Sequence, residues 1–223
     1  MTIAWIFPGQ GSQKLGMGKD VISLKFAKER FDYASNIFAK NLYTVCEDAA
    51  SQSNIEFDLN NTKNTQICLF LIESILIDSL KLNGFIPNFV SGHSLGEISA
   101  LYAAQVLSFE DCVKLIKIRS ELMAKADEGG MAALIGFDRE ALNLLIDKRD
   151  DIVIANDNSS SQVVLSGSNF ALEAISKELK CKRFIKLNVS GAFHSPFMKE
   201  PSKKFSEYLD QINFQEPLFP LIV

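Results

Sequence analysis

The pentapeptide Gly92-His93-Ser94-Leu95-Gly96 constrains this chain more than any other feature. It follows a short apolar run, Phe89-Val90-Ser91, that restarts the chain after Pro87, and it leads into a small-residue segment, Glu97 to Ala104, with helical character. Strand, G-x-S-x-G, helix is the order of a nucleophile elbow. The glycines permit a sharp turn that lifts the serine hydroxyl off the sheet, and the helix N-terminus beneath it favours developing negative charge. A glycine turn with a helix-capping serine is the plainer reading, but the flanking elements weigh against it. A strand passing directly into a helix also implies an α/β chain.

The remaining pattern fits that class. Ile3 to Phe7 is a short apolar run stopped by Pro8-Gly9 and is expected to form a buried strand. A long buried helix is expected over Thr65 to Leu82, ended by Asn83-Gly84, and another from Phe109 to about Ala126. Beyond Asp127-Glu128-Gly129-Gly130 the expected order is strand Met131–Gly136, helix Arg139–Lys148, strands Ile152–Asn156 and Gln162–Ser166, helix Phe170–Leu179 and strand Arg183–Val189. That βαββαβ order is ferredoxin-like. The expected organisation is a parallel-sheet α/β core, residues 1–128 and 191–223, with a ferredoxin-like subdomain, residues 129–190, inserted into it. Ser195-Pro196 offers a cap and a first-turn proline for a helix running to Leu209. The apolar ending Phe219-Pro220-Leu221-Ile222-Val223 reads as a core strand just beginning, and the chain is expected to be incomplete.

Composition narrows the classes of function. The 223 residues are 47% hydrophobic and 22% charged with a net charge of -4, an ordinary globular profile that does not favour nucleic acid. The N-terminus carries no basic region ahead of its apolar run and does not resemble a secretory signal. The most apolar stretch, Ile67 to Leu80, is broken by Glu73 and Asp78, so no membrane span is expected. Cys46, Cys68, Cys112 and Cys181 form no CxxC pair, and the chain has two histidines, so no metal site is expected. Cys68 and Cys112 read as buried thiols of a cytoplasmic protein.

A serine nucleophile needs a base, and the two histidines leave a short choice. His93 adjoins Ser94 on the turn and should point elsewhere. His194 remains, before the Ser195-Pro196 helix start, where a helix N-terminus keeps the ring neutral and able to accept a proton. Arg119 falls within the apolar stripe formed by Cys112, Leu115, Ile116, Leu122 and Met123. An inward arginine requires an anion, either a substrate carboxylate or a buried Asp or Glu, unless its stem carries the charge to the surface. Pro8-Gly9-Gln10-Gly11-Ser12-Gln13 lacks the residues of a Walker loop. It is either a tight strand-to-helix turn or a loop whose amides form an oxyanion hole.

Together, Phe7-Pro8-Gly9-Gln10-Gly11-Ser12-Gln13, Gly92-His93-Ser94-Leu95-Gly96-Glu97, Arg119 and Gly191-Ala192-Phe193-His194-Ser195 closely resemble the malonyl-CoA:acyl-carrier-protein transacylases of fatty acid synthesis. The resemblance runs over the whole chain in order and spacing. It implies an α/β-hydrolase-like core with a parallel sheet and an inserted ferredoxin-like subdomain. It further implies that Ser94 takes the malonyl group, His194 acts as base and then acid, Arg119 holds the malonyl carboxylate, and the Gln10 and Leu95 amides form the oxyanion hole. Met123 and Asn156 match positions lining the family's pocket, and Ala192-Phe193-His194 resembles the malonyl-selective form of that motif in related polyketide acyltransferases. No cofactor is implied, since malonyl-CoA is a substrate. The partner implied is an acidic acyl carrier protein, and Lys177, Lys180, Lys182, Arg183 and Lys186 form the densest basic run for docking, unless they are merely a solvated helix end. Family members continue past the position of Val223 to a glutamine whose carbonyl orients the histidine and to a Gly-Pro-Gly motif. Two other readings stay open: a serine esterase or thioesterase with Asp151 or Asp157 orienting the base, and a shortened remnant that binds coenzyme A or carrier protein without turnover.

Overall fold

The structure, a computed structural model, describes residues 2–222. Met1 and Val223, the outer ends of the two terminal apolar runs, lie outside the described residues. The chain divides into two compact units, one formed by residues up to Ser120 together with those from Gln211, the other by Glu121–Asp210. The segment 129–190 expected to be ferredoxin-like falls inside the second.

In the first unit, strands β1 (Ala4–Phe7), β2 (Phe89–Gly92) and β7 (Leu221–Ile222) form a parallel sheet in the order β1-β2-β7. Ala4 pairs with Phe89 and Phe7 with Gly92, so β1 and β2 end level. Helix α3 (Thr62–Leu82) begins three residues earlier than its apolar content suggests, because the Asn61 side chain caps it by accepting from the Lys63 N–H at 3.1 Å. Helix α4 (Gly96–Ala103) lies against both strands and against α3, and α5 (Phe109–Lys125) follows it. Residues near the C-terminus are tied back by Gln215 N–H to Val106 O at 3.0 Å and Leu218 N–H to Ala104 O at 2.9 Å.

Two further helices precede α3, α1 (Ala27–Phe38) and α2 (Leu42–Glu47). Helix α1 opens after Phe26, which has a left-handed φ of 69° and no side-chain cap, so the usual start signal is missing. Its inward face also carries a charge. Arg30 is buried, donates to Asp78 on α3 and to the Tyr102 hydroxyl on α4, and stacks over the Phe109 ring at 4.6 Å. One arginine thus joins four helices.

The second unit contains β3 (Gly130–Phe137), α6 (Arg139–Ile146), β4 (Ile152–Ser159), β5 (Gln162–Gly167), α7 (Asn169–Glu178) and β6 (Cys181–Lys186). Its sheet has the order β4-β5-β3-β6 with every neighbouring pair antiparallel, the arrangement of a ferredoxin-like βαββαβ unit. Period-two alternation sorts β3 between the two faces. Ala132 and Leu134 join Leu142, Leu165 and Leu172 in the core, while Met131 and Ala133 meet Val164 and Phe193 on the other face. Strand β6 begins earlier and ends earlier than the apolar run Arg183–Val189 suggests. The strand pairing with β3 runs from Cys181 opposite Phe137 to Lys186 opposite Ala132, and Leu187 N–H adds one more bond, to Met131 O at 2.9 Å. The helix expected from Ser195-Pro196 is also divided: a 3-10 turn, Pro196–Met198, precedes α8 (Lys199–Leu209). No helix among the described residues is long and apolar enough to cross a membrane.

A buried carboxyl sits in the first unit's core. Glu73 on α3 accepts a hydrogen bond from the Ser99 hydroxyl on α4, and its other oxygen meets no partner among the described residues. Burial pushes this carboxyl up from 4.5 to about 7, with the Ser99 bond opposing the rise. The folded-state value lies above that of the unfolded carboxyl, so the native state holds an extra proton between about pH 4.5 and 7. Stability therefore falls as pH rises through that window. The Glu73→Gln variant is expected to be more stable than the parent near pH 8, by up to about 3 kcal/mol, and to show no such gain near pH 4. Chemical denaturation at the two pH values checks this, and an equal gain at both would contradict it.

Candidate active site

The turn between β2 and α4 has the geometry its five residues imply. A Cβ on Gly92 would overlap the Gly96 carbonyl, and one on Gly96 would overlap the carbonyl oxygens of Phe7 and Pro8. Glycine at both positions lets the start of α4 press against the ends of β1 and β2. His93 N–H donates to Phe7 O at 2.9 Å and Gly96 N–H to His93 O at 3.0 Å, closing the turn. Ser94, at its apex, is held at φ 56°, a left-handed conformation that costs a non-glycine residue about 1–2 kcal/mol. Such strain at a serine is the mark of a nucleophile elbow.

The loop after β1 closes over this turn. A Cβ on Gly9 would overlap His93 O and reach within 3.2 Å of His93 Nδ1, so the His93 ring lies beside the loop. Ser12 is fixed by its hydroxyl donating to Gly9 O at 2.6 Å. Gln10 donates from Nε2 to Thr62 Oγ1 at 3.2 Å, and Gln13 from Nε2 to Asn60 Oδ1 at 3.0 Å. The loop is thereby anchored to the start of α3. Among the described residues no acceptor faces the amide N–H of Gln10 or of Leu95.

Arg119 reaches the serine. Its Nη2 donates to Ser94 Oγ at 3.0 Å and its Nη1 to Gln66 Oε1 at 2.7 Å. No ion pair to Arg119 occurs among the described residues, although Glu97 in the first turn of α4 offsets part of its charge. Desolvation by burial lowers the guanidinium to about 10. The inward arginine read from the apolar stripe of α5 is thus inward, and it is held by neutral oxygens. Gln66, fully buried on α3, is the residue the sequence reading missed. The signal for it is the polar run Thr62-Lys63-Asn64-Thr65-Gln66, four of whose side chains are buried ahead of an apolar helix.

Ser94, Leu95, Gln10 and Arg119 belong to the first unit; His194, Met123 and Asn156 belong to the second. His194 sits exposed at φ 57° on a turn built from its neighbours. Gly191 lies against Ala126 O, Ala192 N–H donates to Glu128 O at 3.0 Å, and the Ser195 hydroxyl donates to Ala192 O at 2.6 Å. Phe193 is buried on the sheet with Met131, Ala133 and Val164, and Met123 packs against the same cluster. Ser195 Oγ accepts from Phe197 N–H at 3.3 Å, so the helical turn after His194 is capped, though it is a short 3-10 turn and not the start of a long helix. Asn156 follows a register shift in β4, between Ile154 and Asn156, which changes the direction of the side chains there. The two acids available to orient a base in a hydrolase are engaged elsewhere. Asp151 binds Arg149 at 2.9 Å and the Ser168 hydroxyl at 2.5 Å, and Asp157 binds Arg139 through both oxygens at 2.9 and 2.7 Å.

A strained serine at a strand-to-helix turn, with an inward guanidinium on its hydroxyl, is the arrangement of an α/β protein with a nucleophile elbow. Its residues 4–222 match the acyl transferase domain family. Malonyl CoA-acyl carrier protein transacylase of Synechocystis is 46% identical over 223 residues, covering 100% of this chain and 74% of the relative. The crystal structure of the Synechocystis malonyl-CoA:ACP transacylase superposes with a TM-score of 0.93 at 45% identity, covering 99% of this chain and 73% of that one. A malonyl-transacylase solved in complex with its type II PKS acyl-carrier protein superposes with a TM-score of 0.88 at 30% identity, covering 100% and 74%. The chain belongs to the acyl transferase domain family, among the malonyl CoA-acyl carrier protein transacylases.

The left-handed serine yields a stability prediction. Ser94→Gly and Ser94→Ala both remove the hydroxyl, but only alanine keeps the strained Cβ. The glycine variant is expected to be the more stable of the two by about 1 kcal/mol, after its greater unfolded-state freedom is counted. Chemical denaturation of the pair measures it, and an alanine variant of equal or higher stability would show that the turn stores no strain.

Proposed function

We propose that this chain transfers the malonyl group from malonyl-CoA to the phosphopantetheine thiol of an acyl carrier protein through a malonyl-serine intermediate. The observation that carries the reading is the Arg119 guanidinium at 3.0 Å from Ser94 Oγ, half-buried and hydrogen-bonded to neutral oxygens. In a malonyl thioester the free carboxylate is one methylene away from the carbonyl under attack. A cation beside the nucleophile suits that short diacid, whereas an acetyl group would leave the charge buried and unpaired.

In the first half-reaction Ser94 Oγ attacks the thioester carbonyl while His194 takes the hydroxyl proton. The Gln10 and Leu95 amides, which have no other acceptor among the described residues, stabilise the oxyanion. The C–S bond then breaks, and coenzyme A leaves with the proton held by His194. In the second half-reaction the carrier thiol gives its proton to His194 and attacks the serine ester. The acyl thioester forms, and Ser94 Oγ recovers its proton. Met123 and Asn156 shape the acyl pocket in this reading. The chemistry requires no cofactor and fits a reducing, cytoplasmic setting. In this reading residues 1–128 and 191–223 form the acyltransferase core and residues 129–190 the ferredoxin-like subdomain.

The esterase or thioesterase reading is weaker. It needs an acid to orient the histidine, and Asp151 and Asp157 are both ion-paired to arginines. It also gives Arg119 no task. Binding without turnover would leave the strain at Ser94 without a use.

For the carrier protein we propose docking on Lys177, Lys180, Lys182, Arg183 and Lys186. All five are exposed at the end of α7 and along β6, an edge strand of its sheet. The Lys182 stem also packs over Gly136, which holds that side chain in place.

Two outcomes test the reading. Arg119→Ala is expected to lower malonyl loading roughly 100-fold or more in kcat/KM while leaving acetyl loading unchanged or improved. Equal losses for both thioesters would contradict a carboxylate grip. Joint charge reversal at Lys182 and Arg183 is expected to raise the KM for carrier protein without changing the first half-reaction, an effect that salt weakens. Unaltered transfer kinetics would remove the docking patch.

A further inference from the structure

The first turn of α3 presents Thr62 and Gln66 on one face, four residues apart. Thr62 holds the loop after β1 through Gln10, and Gln66 holds Arg119. The second contact is chemically unusual. An arginine turned inward ordinarily meets a carboxylate, because a desolvated charge without a partner is costly. Glutamate has the length of glutamine and would form a stronger, charge-assisted bond at this position. The chain instead places a neutral amide there, with its side chain fully buried and its Oε1 at 2.7 Å from Arg119 Nη1.

That choice has a consequence at the nucleophile. An acidic partner would cancel the positive charge and would face any incoming carboxylate with a like charge. The amide fixes one guanidinium nitrogen, leaves the charge intact, and directs the other nitrogen to Ser94 Oγ at 3.0 Å. We infer that Gln66 is a specificity-determining positioning residue: its neutral amide sets the Arg119 guanidinium beside Ser94 without neutralising it, so acyl thioesters with a free carboxylate are selected over uncharged ones. The inference rests on the reading that Arg119 grips the substrate carboxylate.

The test is equilibrium binding of malonyl-CoA and acetyl-CoA in a Ser94→Ala background, where the thioesters bind without transfer, followed by calorimetry. Gln66→Glu is expected to reduce the malonyl-over-acetyl preference roughly 100-fold, through weaker malonyl-CoA binding with acetyl-CoA binding unchanged. Gln66→Met, similar in length but without an acceptor, leaves the charge and frees the guanidinium, and is expected to reduce the preference roughly tenfold. Thermal unfolding establishes that each variant is folded, and if Gln66→Glu does not fold, Gln66→Met decides alone. A preference unchanged in the folded variants, or equal losses for both thioesters, overturns the inference. Arg119→Ala, measured beside them, separates the two levels of the argument. If it leaves the preference unchanged, or if the parent shows none, the carboxylate grip itself fails. If Arg119→Ala abolishes the preference while the Gln66 variants keep it, the grip stands and the role of Gln66 falls.

Discussion

The candidate site depends on the contact between the start of α4 and the ends of β1 and β2. A helix N-terminus can approach two strand ends this closely only where no side chain intervenes, which is why Gly92 and Gly96 flank the turn. The contact has three results. It forces Ser94 into a left-handed conformation, it brings the Pro8–Gln10 loop against His93, and it leaves the Leu95 amide at the open end of a helix with no acceptor among the described residues. The strained serine, the covering loop and the outward Leu95 amide are therefore products of a single packing event. The strain is local and the packing that opposes it is extensive: α4 is flanked by α3 and both strands.

Charge is handled differently at two inward arginines of the first unit, Arg30 and Arg119. Arg30 meets Asp78 and Tyr102 and lies over an aromatic ring, so its charge is neutralised and its role is to join helices. Arg119 donates to neutral oxygens, those of Gln66 and Ser94, and burial depresses its proton affinity without detaching the proton at neutral pH. The first arrangement is complete in itself. The second leaves the guanidinium charge beside the serine hydroxyl, where the proposed reaction would use it to bind the substrate carboxylate.

Much of this was legible in the sequence where local chemistry and tertiary demand agree. The pentapeptide, the apolar runs of β1 and β2 and the stripe of α5 specify their own conformations, and the βαββαβ order needs only alternating periods. The reading failed where tertiary partners overrode local signals. Helix α1 was invisible because its start lacks a cap and its buried face carries Arg30, whose burial makes sense only once Asp78 and Phe109 are beside it. The start of α3 was placed late because its first turn is polar yet buried, serving the site and not the hydrophobic core. For the same reason Gln66 was missed: a helix period marks apolar faces, not polar side chains whose partners lie more than fifty residues away. The end of β6 was misplaced because pairing with β3, not the extent of the apolar run, decides where a strand stops.

The central claim is that Ser94 carries a malonyl group. Intact-protein mass spectrometry after brief mixing with malonyl-CoA, followed by peptide mapping and run beside Ser94→Ala, measures this directly. The account predicts a mass increase of one malonyl group, located on the peptide containing Ser94 and absent from the variant. A folded parent that acquires no adduct, or an adduct that persists in Ser94→Ala, would contradict it.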